Sequence, residues 1–101
     1  MEQDITIVFA FLHAAPGYED RVREELSKVV TETLKEPGCL KFVAHQSVER
    51  PAEFVVYEHW REREDVDKHI ALPHVQHFMK LGEEIFSEPV RVTFWNGVEP
   101  T

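Results

Sequence analysis

Only one cysteine, Cys39, occurs in the 101 residues. That excludes an internal disulfide, and Cys39 reads most simply as a small buried apolar side chain. Positive charge is scarce: eleven Lys and Arg stand against nineteen Asp and Glu, a formal net charge of −8. General nucleic-acid binding and adhesion to anionic membranes both need a basic surface, so both are excluded as expectations. No apolar run approaches the roughly 20 residues of a membrane-spanning helix. The acidic start, Met1 to Asp4, leads straight into a strand pattern, which argues against a signal peptide. A reducing cytoplasm is the expected home. There is no Walker loop, GxSxG, CxxC or GxGxxG, and no linker, low-complexity stretch or obvious repeat.

What is present is an ordinary globular composition, 43% hydrophobic and 30% charged, in a length that suits one domain spanning residues 1–101. Ile5 to Ala14 is a β-branched and aromatic run that predicts a strand, broken by Pro16-Gly17. Val22, Leu26, Val29, Val30, Thr33 and Leu34 recur at helical spacing between Tyr18 and Glu36. Pro37-Gly38 stops that helix, with Gly38 expected in a left-handed turn. Cys39–Glu49 and Glu53–Arg61 predict two strands joined as a hairpin through Arg50-Pro51-Ala52. Glu62–Leu72 predicts a short helix burying Val66 and Ile70. Pro73 opens a further helix with Phe78, Leu81 and Ile85 on one stripe. Val90–Val98 predicts the last strand. The order β-α-β-β-α-β specifies an α+β, ferredoxin-like fold: a four-stranded antiparallel sheet with helices on one face.

The strands carry apolar residues on both faces. Ile5, Ile7, Phe9 and Phe11 alternate with Val8, Ala10 and Leu12; Phe54, Val56 and Trp60 alternate with Val55 and Tyr57. Helices cover only one face, and the chain has no spare segment for the other. A second copy, sheet against sheet in a two-fold homodimer, is the expected cover.

Three of the six histidines, His69, His74 and His77, fall on the second helical segment. Histidine titrates near neutrality and is the usual general base. His69 or His74 lining a pocket competes with surface or capping positions, and with a metal site whose H-x4-H-x2-H spacing is interrupted by Pro73 and matches no spacing rule. Trp60 reads as a core anchor or as a pocket wall that donates a hydrogen bond. Glu58 shares its face and, if buried, needs a partner such as a histidine or arginine. His59 alternates to the opposite face. His13 and His45 read as strand residues near a sheet edge.

Three motifs occur in one order: Pro37-Gly38-Cys39-Leu40, then FVVYEHW from Phe54 to Trp60, then H-x3-P-H-x3-F from His69 to Phe78. Jointly they resemble the antibiotic biosynthesis monooxygenase family, including the quinol monooxygenases, over nearly the whole chain. The resemblance implies a dimeric α+β barrel with a pocket in each subunit between sheet and helices. It also implies oxidation of a small aromatic or quinone-like substrate by dioxygen with neither metal nor other cofactor. In this chain the base would then be His69 or His74 and the donor to the oxyanion Trp60. Phe9, Phe11, Phe42 and Phe78 would wall the cavity, with Glu58 beside them. The C-terminal third, from Tyr57 through the F-x-N-G-x-x-P pattern at Phe94 to Pro100, also resembles an isomerase of the phosphorylated autoinducer-2 type, with one residue, Trp95, between Phe94 and Asn96. A haem-degrading branch carries a tryptophan at the place of His69 and a histidine at that of Met79, so it is not expected. A dimeric small-molecule binding protein without turnover is the remaining alternative.

Overall fold

The computed structural model describes residues 5–100; the expectation about the Met1–Asp4 lead-in falls outside the described residues. Seven elements follow one another: β1 (Thr6–His13), α1 (Glu19–Thr33), β2 (Cys39–Gln46), β3 (Glu53–Trp60), α2 (Arg63–Ala71), α3 (Pro73–Ile85) and β4 (Arg91–Trp95). The strands form one antiparallel sheet in the order β2-β3-β1-β4. This is the ferredoxin-like α+β arrangement, with the second helical segment divided in two.

Strand alternation sorts the sheet's two faces. Val8, Ala10 and Leu12 of β1, Phe42 of β2, and Phe54, Val56 and Trp60 of β3 are buried beneath the helices. They meet Val22, Leu26 and Val29 from α1, Val66 from α2, and Phe78 and Ile85 from α3 in a continuous apolar core. The residues between them point the other way. Ile7, Phe9 and Phe11 pair across strands with His59, Tyr57 and Val55, and none of these six is buried. Val43 and Trp95 extend this second apolar face and are exposed.

Pro73 divides α2 from α3. Its ring disfavours helical geometry at the residue before it, and Leu72 is extended at ψ 144° while Pro73 occupies the first turn of α3. α2 is rotated from the expected orientation. Asp65, Val66 and His69 form its buried stripe, and Ile70, expected inside, is 43% exposed. The reason is polar anchoring at two consecutive turns. Asp65 accepts two hydrogen bonds from the Arg61 guanidinium, at 3.1 and 3.0 Å, and His69 meets Glu36.

Gly38 does not adopt the left-handed turn expected of it; Gly17, at φ 87°, is the one glycine with positive φ among the described residues. Gly38 is instead a point of close approach. A Cβ there would overlap the Asp65 carboxyl, so glycine lets α2 settle against the β2 entry loop. The Gly38 carbonyl then accepts the Arg61 backbone N–H at 2.9 Å.

Candidate active site

The end of β3 carries Glu58, His59 and Trp60, and alternation sends the first and third beneath the helices. Trp60 is fully buried and Glu58 is 5% exposed. A carboxyl so enclosed needs a partner. The partner is neither histidine nor arginine: the Trp60 indole N–H donates to Glu58 Oε1 at 2.8 Å. An indole has one donor, so Trp60 is spent on Glu58, which corrects its expected role as donor to a substrate oxyanion. Burial pushes the Glu58 carboxyl up to about 7, against the opposing indole bond and with a further push from the Glu36 charge.

His69 sits on the buried stripe of α2, with its ring centroid 4.8 Å from Trp60 and 5.6 Å from Phe42. Its Nδ1 lies 2.8 Å from Glu36 Oε2. Beside a carboxylate, Nδ1 is the donor, and Nε2 keeps its lone pair. Burial holds His69 below its ordinary value of 6.5, while the hydrogen bond to Glu36 and its charge pull it back up and His74 adds to the lowering. A neutral imidazole of fixed tautomer is therefore available near pH 7.

Glu36 follows the end of α1, in the tight turn that leads to Pro37-Gly38; its N–H bonds the Thr33 carbonyl at 3.0 Å. It is the partner of His69 that sequence reasoning missed. On a helical projection it falls in phase with the buried stripe of Val22, Val29 and Thr33, but nothing in its spacing links it to a histidine 33 residues later. The local signals are a carboxylate in phase with that stripe and the Pro-Gly pair that turns the chain directly after it.

Glu58 and His69 face a common cavity of about 130 Å³ between the sheet and the helices. Of its sixteen lining residues, fourteen are aliphatic, aromatic or methionine, and these two are the ionisable ones. A dry apolar cavity of about 150 Å³ takes up benzene, so the space here matches a single aromatic ring. Phe42 and Phe78 line it as expected. Phe9 and Phe11 do not, because odd positions of β1 point to the sheet's other face. There Phe9 packs on Tyr57 and Trp95, with centroids 5.0 and 5.7 Å away, and the Arg91 guanidinium lies 4.3 Å over Phe11.

His74, the second candidate base, opens α3 outside the cavity lining. It borders a groove shared with Glu36, Trp60 and Lys68. Its Nε2 is 3.6 Å from Glu36 Oε2, and neither ring nitrogen has a hydrogen-bond partner. The helix break at Pro73 places it beside Glu36 and outside the cavity that Glu58 and His69 line. His77 lies further out, beside Glu25 and Lys28. Among the described residues no three His, Cys, Asp or Glu side chains gather into a metal-ligand set. Nor is any helix among them long and apolar enough to cross a membrane.

The arrangement thus holds an oriented imidazole and a carboxyl raised to about 7 on the walls of one apolar cavity. Burial moves the two in opposite directions, the carboxyl up and the imidazole down, so that the neutral form of each is accessible near neutrality.

Residues 5–81 match the family model "Antibiotic biosynthesis monooxygenase". The chain is 27% identical over 93 residues to "Putative monooxygenase Rv0793" of Mycobacterium tuberculosis, covering 92% of this chain and 90% of that one. The solved structure of Rv0793 superimposes with a TM-score of 0.86, covering 95% of this chain and 97% of that one. The crystal structure of PA3566 from Pseudomonas aeruginosa, 23% identical, shares the fold at a TM-score of 0.91 over 98% of this chain and all of that one.

Proposed function

The chain belongs to the antibiotic biosynthesis monooxygenase family, and from that premise we propose that it is a cofactor-independent monooxygenase acting with dioxygen on a small, uncharged aromatic or quinol-type substrate. The observation that carries the reading is that His69, held by Glu36 through Nδ1, lines an apolar cavity the size of one ring.

Dioxygen reacts slowly with neutral closed-shell organic molecules. Removing a phenolic proton makes an electron-rich anion that reduces oxygen directly. The protein's part is to supply the base, exclude water and hold the ring. His69 Nε2 is the base in this reading, and Glu36 positions it and stabilises the imidazolium that forms. Phe42 and Phe78 hold the ring. A net charge of −8 and a cavity without cations favour a neutral substrate. The same lining disfavours the isomerase reading, since a phosphorylated substrate needs a cation and no Lys or Arg borders this cavity.

The test is oxygen uptake by metal-stripped protein with a panel of hydroquinones. Uptake above the autoxidation blank is expected, greatest for single-ring members. Saturable binding of the panel with no uptake would instead make the protein a binding module, and product formed without oxygen would make it an isomerase.

The same reading includes a homodimer in a reducing cytoplasm. The second apolar face, with Phe9, Phe11, Val43, Tyr57 and Trp95, is uncovered by any segment among the described residues, and a copy of the same face is self-complementary. Sedimentation equilibrium at micromolar concentration is expected to give twice the mass of the 11.8 kDa chain. A species of single-chain mass would remove the dimer.

A further inference from the structure

We infer that Glu58 is the proton donor of the reaction, its Oε2 delivering a proton to the distal oxygen of the peroxide formed when dioxygen joins the substrate, an inference that rests on the oxygenase reading above. Three features of the geometry carry it. Glu58 and His69 are, among the described residues, the only ionisable side chains on the cavity wall. The Trp60 indole fills Oε1, which pins the carboxyl and assigns its proton to Oε2, an atom with no hydrogen-bond partner among the described residues. The strand neighbours on either side are Val8 of β1 and Phe42 of β2, so neither flank brings a charge.

From the helices above, Val66, Val75 and Phe78 present apolar groups and His69 the one titrating group. Glu36 lies behind His69 and adds negative charge, which opposes ionisation of Glu58. With no cation in this circle, the neutral carboxyl is the favoured form, consistent with its rise to about 7. A neutral carboxylic acid donates a proton; an ionised one only accepts.

With a hydroquinone in the cavity, the reaction begins at its hydroxyl. His69 Nε2 takes one phenolic proton. The ring anion passes one electron to dioxygen, and the superoxide and ring radical combine to form a carbon–oxygen bond at the carbon beside the oxyanion. The distal peroxide oxygen takes its proton from Glu58 Oε2. The hydrogen on that ring carbon then leaves as a proton, returning to Glu58. The O–O bond breaks, and its electron pair leaves with the distal hydroxide. That hydroxide collects the proton held by His69 and departs as water. The ring retains one oxygen atom as a hydroxyquinone. Dioxygen is the sole oxidant, reduced by four electrons, and both side chains end as they began.

The experiment compares wild type with Glu58→Gln and Glu58→Asp on the hydroquinone that the uptake panel selects. An amide keeps an oxygen to accept the Trp60 N–H and carries no transferable proton. Glu58→Gln is expected to lower kcat by about 100-fold or more, the usual scale of proton-transfer catalysis, with KM changed little. The fall of wild-type rate above about pH 7, where Glu58 ionises, should vanish in Glu58→Gln and persist in Glu58→Asp. Infrared difference spectra should show a protonated-carboxyl C=O band in wild type that fades through the same pH range and is missing in Glu58→Gln. This readout needs no turnover. Wild-type kcat in Glu58→Gln with the alkaline limb intact would overturn the inference and leave the oxygenase reading standing. So would the absence of that infrared band from wild type at pH 6. Wild type inactive on the whole panel would overturn both.

Discussion

His69→Ala is expected to lower hydroquinone-dependent oxygen uptake by about 100- to 10,000-fold, the range usual for loss of a general base. The variant removes Nε2 from the cavity and leaves Glu36 without the partner it meets at 2.8 Å. His69→Gln separates the two effects, because an amide donor can still satisfy Glu36 but cannot take a proton. Activity restored by the glutamine would show that His69 serves structure alone. The pH profile gives an independent reading. His69 must be neutral to act, and burial holds it below 6.5, so the acid limb of kcat/KM should fall below 6.5. Glu36→Gln removes the charge that pulls His69 up. The limb should then move to still lower pH while the rate drops. A shift towards higher pH would contradict the pairing. Stability follows the same sign. Below 6.5 the unfolded chain takes up a proton at His69 before the folded one does, so this residue's contribution declines as the solution is acidified.

Trp60→Ala is expected to destabilise the fold by about 3–5 kcal/mol, the range for deleting a large buried aromatic side chain. That is a large share of the roughly 5–15 kcal/mol that holds a domain together. Trp60 is fully buried, touches the rings of Phe42 and His69, and supplies the one hydrogen bond that Glu58 receives. Denaturant unfolding followed by circular dichroism measures the loss. A cost under about 1 kcal/mol would mean that the site tolerates the cavity, contrary to its packing. Trp60→Phe isolates the polar part. It keeps a ring and removes the N–H, which favours the ionised carboxyl. Glu58 should therefore titrate at higher pH than in wild type, and the alkaline limb of activity should follow it upward.

The order of the elements was legible along the chain because its signals are local. Pro16-Gly17 and Pro37-Gly38 mark the ends of β1 and α1, and period-two and three-to-four spacing name what lies between them. The placement of Glu58 and Trp60 on one face followed from alternation within a single strand. Rotation of α2 was another matter. Val66 and Ile70 have helical spacing, but so do Asp65 and His69; Val66 is buried as the apolar pattern required, whereas His69 rather than Ile70 completes the buried stripe. The ion pair between Arg61 and Asp65 and the contact between Glu36 and His69 outweighed one exposed isoleucine.

The sequence by itself determined the ferredoxin-like β-α-β-β-α-β order, the two apolar faces of the strands and the short list of histidines. Each of these depends on residues within a turn or two of one another. Tertiary structure decided which histidine reaches the cavity and which stands behind it, that Glu36 orients His69 across 33 residues, and that Trp60 serves Glu58 rather than a substrate. Such pairings depend on how helices settle on the sheet. That docking is chosen by the summed packing and polar satisfaction of the whole core, which no local pattern encodes.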